Sequence, residues 1–367
     1  MGERLPVVIR AVRGRDVPSL IRMRQEGVRL DLPEAQVRGY TPMKGVAESR
    51  WFALGRGRVR TYVACVDGQP AAFVQARERS PRQRHKWDIL HLGAATAGAA
   101  LTRRTDLWTS LLDYTTAAAG RRGVQRLYAK LPAQLAAAEA FRAAGYARYG
   151  QETVYLFQGS ADQRASSAHE GLAVLPRPQA PDDTWAVHQL YTLTAPKPVQ
   201  YAEAYTSHNW ELPRYWAFLS RGTPREWGFI VERGHELALY CRVGRQGKRS
   251  RLEFMFEPAA RELLPTLLDA LLDWLAPGPD ERLYCTVREY QAELDPVLTA
   301  RSFVPVGHQE LLVRYTTVSV RAAAPASVAR PAREGRLVGV PVQPQLRRQP
   351  EALAVVETAG GGLANVS

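Results

Sequence analysis

The 367 residues include 49 Lys and Arg against 36 Asp and Glu, a net charge of +13, with 46% hydrophobic residues, as in a globular protein long enough for two domains. No apolar run approaches the roughly 18 residues that a membrane span needs. The apolar segment near the start, residues 5–9, is too short for a signal peptide. The sequence therefore predicts a cytoplasmic protein without a membrane partner.

The excess of positive charge favours anionic partners, such as nucleotides, coenzyme A or nucleic acid. However, only five of the 49 basic residues are Lys, so a general preference for Arg would raise the charge in the same way. The three cysteines, Cys65, Cys241 and Cys285, each fall in a predicted strand and have no neighbour at metal-ligand spacing. We expect them to be buried, reduced side chains.

In the first half, predicted strands and helices follow one another in a defined order. A hairpin turn at Asp67-Gly68 joins two of the strands. The strand at 87–93 is a short, bounded apolar run, and the helix after it has Thr105-Asp106 as its predicted N-cap. The predicted strands are 7–12, 61–66, 70–75, 87–93, 125–130 and 153–157, and the predicted helices are 17–25, 41–52, 105–120 and 132–144.

The second half repeats this order after a polar, Ala- and Ser-rich linker. Tyr146 corresponds to Phe303, and Phe157 to Tyr315, so the offset is 157 or 158 residues. The predicted strands are 172–175, 227–231, 237–243, 252–256, 283–287 and 311–315, and the predicted helices are 184–193, 263–275 and 291–300. The chain is thus divided into a domain at 1–158, a linker at 159–170, a domain at 171–318 and a disordered tail rich in Ala, Pro and Arg at 319–367.

The stretch from Lys86 to Tyr146 runs strand, small-residue loop, helix, strand, helix, and closes on Gly145-Tyr146. This order resembles the core of the GNAT (GCN5-related N-acetyltransferase) superfamily, which ends its second helix with a Gly-Phe pair. The resemblance implies an α/β protein of two tandem GNAT-like domains. Each would be a mixed, mostly antiparallel sheet flanked by helices.

The resemblance also implies an acyl-CoA-dependent N-acyltransferase, most simply an N-acetyltransferase, with acetyl-CoA as co-substrate and no metal. Its pyrophosphate would lie at a helix N-terminus, where the dipole favours anions. The family's Arg-Gly-x-Gly-Ile-Gly loop falls on residues 103–108, where the Arg is kept and the glycines are absent. The family's acidic Tyr falls on Phe141 in the first half and on Leu298 in the second.

The candidate residues follow from these alignments. Those expected to contact acetyl-CoA are Leu92, Gly93, Gly98, Arg103, Arg104, Thr105 and Arg261. Those expected to act on the amine or the thioester are Asp88, His91, Tyr128 and Glu253. Each also has a structural interpretation: a strand-end or surface carboxylate, a core imidazole or a core aromatic ring. The acceptor would be a small-molecule or peptide amine.

The alternative is a catalytically silent tandem GNAT-like protein that binds a partner. Two basic turns, 77–86 and 245–251, occupy the same hairpin in the two halves and would suit RNA or another polyanion. The other interpretation of these turns is a pair of solvated hairpin tips. A third hypothesis is a transferase that uses aminoacyl-tRNA, since some tandem GNAT-like enzymes do. Nucleotide-binding glycine loops and metalloprotease motifs are absent from the sequence.

Overall fold

A computed structural model describes residues 6–24, 28–31, 59–79, 83, 85–95, 103–133, 137–159, 176–212 and 225–316. These residues belong to one compact unit within Met1–Val318. Three predicted segments lie outside the described residues: the helix at 41–52, the strand at 172–175 and the tail at 319–367. Most of the predicted linker, 160–170, lies outside them as well.

The described strands are β1 Val7–Ala11, β2 Val28–Arg29, β3 Val59–Val66, β4 Gln69–Glu78, β5 Lys86–Ala94, β6 Arg126–Pro132, β7 Ala147–Phe157, β8 Arg177–Pro178, β9 Arg225–Arg233, β10 Glu236–Gln246, β11 Arg249–Phe256, β12 Arg282–Arg288 and β13 Phe303–Tyr315. The described α-helices are α1 Val17–Arg24, α2 Arg104–Gly120, α3 Ala137–Ala143, α4 Thr184–Thr194, α5 Lys197–Glu203, α6 Leu264–Leu275 and α7 Leu294–Thr299.

All of these strands belong to one mixed sheet in the order β1-β3-β4-β5-β6-β13-β7-β12-β11-β10-β9-β8, with β2 paired to β5. Two neighbouring pairs are parallel, β5 with β6 and β11 with β12, and the other pairs described are antiparallel. A helix connects the two strands of each parallel pair, α2 in the first half and α6 in the second. The predicted class, a mostly antiparallel sheet flanked by helices and built twice, is confirmed.

The last strand of each half crosses to the other half. β13 lies between β6 and β7, and β7 lies between β13 and β12. Strand β6 therefore pairs with a strand of the second half, and β12 with a strand of the first half. Because main-chain hydrogen bonds run across both junctions, the two halves share one sheet.

A side-chain motif that repeats at the start of each half was not recognised in the sequence. Arg10 and Asp16, six residues apart, form a two-bond ion pair with Nη1 to Oδ2 at 2.7 Å. Arg177 and Asp183 form the same pair, also at 2.7 Å. In both halves the carboxylate also accepts the main-chain N–H three residues before it. Each pair ties the start of a helix to the preceding strand.

The two faces of the sheet carry different helices. In the first half, α2 and α3 cover an apolar face that includes Trp87, Ile89 and Leu127. In the second half, α6 covers the corresponding face. Helices α1, α4 and α5 pack on the opposite face, where the alternating side chains of β5, β6, β11 and β12 include many charged groups. All three cysteines are buried and free, as predicted.

Several predicted boundaries were wrong. Helix α2 begins at Arg104, and its N-cap is Arg103, so Thr105 and Asp106 lie inside the first turn. Strand β6 continues to Pro132, and α3 begins only at Ala137. Strand β13 is much longer than the predicted 311–315, because it pairs with β7 and β6 along its length. None of the helices in the described part of the chain is long and apolar enough to cross a membrane.

We expect Asp16→Asn to destabilise the protein more than Asp183→Asn. The side chain of Asp16 is 2% exposed and that of Asp183 is 15% exposed, and Arg177 also pairs with Glu232. Loss of a charged hydrogen bond costs roughly 1–3 kcal/mol when its partner is buried, and less at the surface. Urea denaturation of both variants measures the difference. Equal losses would show that burial does not set the strength of this pair.

Candidate active site

In the first half, the parallel strands β5 and β6 separate in mid-course. They pair from Lys86 opposite Arg126 to Asp88 opposite Tyr128, although both strands continue beyond that point. On its other edge, β5 carries a bulge, because β4 pairs with His91 and then with Ile89, which leaves Leu90 as the extra residue. A bulge redirects main-chain groups, and bulges are frequent beside active sites.

The segment from Val28 to Asp31 bridges the gap between these strands. β2 pairs with His91 and Leu92 of β5, and Leu30 N–H donates to the Leu90 carbonyl at 3.3 Å. Asp31 N–H then donates to the Lys130 carbonyl of β6 at 2.9 Å. Asp31 has a φ of 58°, the left-handed region that is uncommon outside glycine and marks local strain. Nothing in the local sequence pattern distinguishes Asp31 as a functional residue.

Three predicted catalytic residues of the first half lie close to this gap. Asp88 ends the parallel pairing and forms ion pairs with Arg79 at 2.7 Å and Arg77 at 3.6 Å. His91 is buried and meets the ring of Phe73 edge-on, 5.2 Å between centroids. The position of Asp88 agrees with a structural ion pair and that of His91 with a core imidazole, and both positions also agree with roles in catalysis.

Tyr128 is buried, and its hydroxyl donates to the Ala202 carbonyl at 2.8 Å. The Arg79 guanidinium lies 4.1 Å from the centre of its ring. Burial raises the pKa of Tyr128, with Arg79 acting in the opposite direction. A hydroxyl that already donates to a carbonyl and has a raised pKa is a poor proton donor to a leaving thiolate.

The predicted contacts to acetyl-CoA flank the start of α2. Leu92 and Gly93 lie in β5, and the Gly93 carbonyl accepts from Trp108 Nε1 at 3.2 Å. Arg103 and Thr105 lie at the first turn of α2, and Arg104 stacks on Trp108 with its guanidinium carbon 5.3 Å from the ring centre. Gly98 lies outside the described residues. This group brings two guanidinium side chains to a helix N-terminus.

The corresponding parallel strands of the second half stay paired for longer. β11 and β12 pair in parallel from Arg249 to Glu253, and β10 pairs with β11 in unbroken register, without a bulge. Beyond Glu253, the carboxamide of the buried Gln291 donates to the Phe254 carbonyl at 2.7 Å. Arg261, the predicted phosphate contact of this half, lies exposed in a 3-10 turn before α6.

Charged residues from both halves meet between the two parallel pairs. Glu152 of β7 is directly opposite Gln309 of β13, and these positions are 157 residues apart, the offset of the predicted repeat. The Glu152 side chain is 1% exposed; it pairs with Lys130 at 2.8 Å and with Arg288 Nε at 3.1 Å. Lys130 lies on β6 and Arg288 on β12, the equivalent strand of the other half.

A second buried carboxylate, Glu203 at the end of α5, completes this cluster. It accepts from Arg288 Nη2 at 2.9 Å and from the Tyr191 hydroxyl at 2.9 Å. The main chain that follows accepts from Lys86 Nζ, with 2.7 Å to the Glu203 carbonyl and 2.9 Å to that of Ala204. Burial, aided by Arg79 and Arg126, lowers the pKa of Lys86 to about 8. An ammonium at a helix C-terminus is favourable, so Lys86 joins the first half to α5 of the second.

Two of the predicted residues lie on the second half, away from the open gap. Glu253 is on β11 and pairs with Arg251 at 2.8 Å. Burial raises its pKa, but Arg251, Lys130, Arg242 and Arg288 together bring it below the ordinary value. A carboxylate with a lowered pKa accepts protons weakly.

In the part of the chain that the structure describes, no group of three or more His, Cys, Asp or Glu is arranged to hold a metal.

No protein-family model and no curated protein matches this sequence. Solved structures of similar shape include a GCN5-related N-acetyltransferase from Sphaerobacter thermophilus, at 13% identity and a TM-score of 0.49, over 86% of this chain and 98% of that one. Another is a tandem GNAT protein from the clavulanic acid biosynthesis pathway, at 14% identity and a TM-score of 0.48, over 86% of this chain and 100% of that one. The predicted resemblance recurs in these matches.

We expect Glu152 to make the stability of the protein sensitive to acid. Burial pushes its pKa upward, but Lys130 and Arg288, with hydrogen bonds from Lys130 and Gln309, bring it down to about 2 from 4.5. Its contribution is therefore complete above pH 4.5 and is lost as the pH falls toward 2. From pH 7 to pH 3 the stability difference between wild type and Glu152→Gln should shrink by about 2 kcal/mol. Urea denaturation at both pH values measures it; a constant difference would contradict the assignment.

We expect Gly93→Ala to destabilise the first half. A Cβ on Gly93 would lie 2.2 Å from Cε1 of Phe73, a fully buried ring. Overpacking of this kind costs about 1–3 kcal/mol. Gly244→Ala is the matched control, because Gly244 is also a strand glycine and its Cβ would meet no atom within 4 Å. Thermal unfolding of both variants compares them, and equal melting temperatures would show that the Phe73 ring moves aside.

Proposed function

We propose that this protein is an acyl-CoA-dependent N-acyltransferase, most simply an N-acetyltransferase, and that the first half binds the acyl-CoA. One observation carries the proposal: β5 and β6 separate after Asp88 and Tyr128, next to the bulge at Leu90. Because the two strands separate here, their main-chain groups bind partners other than each other: the 28–31 segment uses part of them, and the bulge at Leu90 redirects others. The pantetheine amides of an acyl-CoA are suitable partners for such groups.

The start of α2 suits the other end of the acyl-CoA. The helix has 17 residues, and Arg103 and Arg104 lie at its first turn. The N–H groups of the first turn, the helix dipole and two guanidinium groups together favour a pyrophosphate. Asp106, in the same turn, opposes this by placing a carboxylate nearby.

The reaction is acyl transfer to an amine. The acceptor ammonium loses one proton, the amine nitrogen attacks the thioester carbon, and the C–N bond forms as the C–S bond breaks. The thiolate leaves and takes up the proton that the nitrogen still has to lose. A main-chain N–H beside the bulge would polarise the thioester carbonyl. Asp31 is the candidate to accept the first proton, since its main chain crosses the gap and its carboxylate interacts with Lys130.

The alternative is a silent binding protein with a polyanion on its basic hairpins. Many described cations of these hairpins are already paired. Arg77 and Arg79 pair with Asp88, while Arg245, Lys248 and Arg251 pair with Glu281, Asp280 and Glu253. Paired cations release fewer counterions on binding a polyanion, so we place this function second.

We expect acetyl-CoA to raise the melting temperature of the full chain. Ligand that binds only the folded state at a hundred times its dissociation constant adds about 2.7 kcal/mol of stability. Arg103→Ala with Arg104→Ala should abolish most of the shift, and Arg261→Ala should leave it if the first half is the site.

Lys248→Ala, at an exposed hairpin tip, controls for loss of charge. The absence of a shift at millimolar acetyl-CoA would contradict the proposed function and support the silent alternative. A shift that only Arg261→Ala removes would move the site to the second half.

A further inference from the structure

Charges of alternating sign run across the face of the sheet that α4 and α5 cover. We call Asp31, Lys130, Glu152, Arg288, Glu253 and Arg251 the charged row. Its three carboxylates and three cations cancel. Lys130 and Arg288 are each paired with Glu152. Asp31 acts on Lys130, and both Lys130 and Arg288 act on Glu253, so the row links the two halves electrostatically.

The members of the charged row differ in the solvent exposure of their side chains. The Glu152 side chain is 1% exposed, and its carboxylate already pairs with Lys130 and Arg288. Arg251 and Glu253, in contrast, retain 31% and 37% exposure of their side chains. They are two residues apart on β11, so they project from the same face, and their charged ends touch at 2.8 Å. An ion pair in contact with both solvent and a buried charged cluster lines an open part of this face.

The equivalent position in the first half is occupied differently. Asp88 and Glu253 each end the parallel pairing of their half, opposite Tyr128 and Thr286. Asp88 forms ion pairs with two arginines: Arg77 on the neighbouring strand β4, and Arg79 just after that strand. Glu253 pairs with an arginine of its own strand. The second half thus presents the more exposed carboxylate.

From this arrangement we infer that the acceptor is an amine that also carries a carboxylate, such as a free α-amino acid, and that Arg251 and Glu253 hold its two charged groups. The inference rests on the proposed function. The second half would bind the acceptor, and the first half would bind the acyl donor.

The physical basis is charge matching. In an α-amino acid the ammonium and the carboxylate are separated by one carbon, and in the Arg251–Glu253 pair the opposite charges are in contact. When the amino acid lies antiparallel to this ion pair, its ammonium pairs with Glu253 and its carboxylate pairs with Arg251. A simple amine would pair with Glu253, but its positive charge would be repelled by Arg251. A carboxylate without an amine would pair with Arg251 and would be repelled by Glu253. The row has no net charge, so it offers a singly charged ligand no compensating attraction.

The test uses the full-length protein with saturating acetyl-CoA and measures release of the coenzyme A thiol. Acceptors are the free α-amino acids, compared with phenethylamine and cadaverine, which lack the carboxylate. We expect transfer to at least one amino acid with kcat/KM ten or more times that of the simple amines. Arg251→Gln and Glu253→Gln should each raise KM for that amino acid at least tenfold, with kcat changed less than threefold.

The exchanged variant, Arg251→Glu with Glu253→Arg, separates binding from structure. It retains the ion pair but reverses its direction, so the bound amine would point away from the thioester. We expect kcat to fall at least tenfold, and the melting temperature to fall as well, because Lys130, Arg242 and Arg288 act on position 253; kcat is therefore measured at a temperature at which circular dichroism shows the variant to be folded. The matched control is Lys248→Asp with Asp280→Lys, an exposed pair at 2.8 Å on the hairpin tip, which should change neither constant.

Three results would overturn the inference. The first is recovery of wild-type KM and kcat in the exchanged variant, which would make the pair purely structural. The second is a preference for the simple amines. The third is the absence of amino-acid binding in saturation-transfer NMR without acetyl-CoA. That NMR measurement does not depend on acyl-CoA, so failure of the proposed function, seen as no acetyl-CoA shift, is distinguished from failure of this inference.

Discussion

The structure depends on one buried carboxylate. Glu152 lies where the two halves meet, and its partners come from both: Lys130 from the first, Arg288 and Gln309 from the second. A buried charge costs several kcal/mol unless it is paired, and removal of one partner leaves the others exposed to that cost. Strand exchange makes the pairing obligatory, since neither half alone could surround Glu152. The two modules are therefore one structural unit.

The same pairing explains why the halves can differ. Once the shared sheet is held together at its centre, each parallel strand pair is free to change without loss of the other. In the first, β5 and β6 separate after Asp88 beside a bulge at Leu90, whereas in the second the carboxamide of Gln291 donates to the main chain beyond the pairing. Lys86 and Tyr128 of the first half bind the end of α5 in the second. These contacts hold the surface of the second half at a fixed position relative to the gap in the first.

This arrangement gives a physical basis for a division of roles in a duplicated chain. In the second half the parallel strands stay paired for longer, but β11 still carries side chains toward the common face. Arg251 and Glu253 are such side chains. Under the proposed function, the two halves, which are similar in fold, contribute unlike groups to one reaction.

Much of the fold was predictable from the residues alone. Apolar runs and turn residues gave the order of elements, and the offset of 157 between Tyr146 and Phe303 recurs in the pairing of Glu152 with Gln309. These features are local or periodic, so they can be read along the chain. Caps were less predictable: the N-cap of α2 is Arg103, which makes no side-chain capping hydrogen bond, although Thr105 and Asp106 are the better capping types.

Only the tertiary structure determined the strand exchange and the groups around the candidate site. Nothing in the run of β13 indicates that its partners are β6 and β7, because a strand's period of two specifies its faces and not its neighbours. Likewise Asp31, Lys130 and Arg288 are far apart in the sequence, and their proximity arises from contacts between distant segments. The sequence by itself thus determined the elements and their repetition, whereas the pairing of distant strands decided which charges meet.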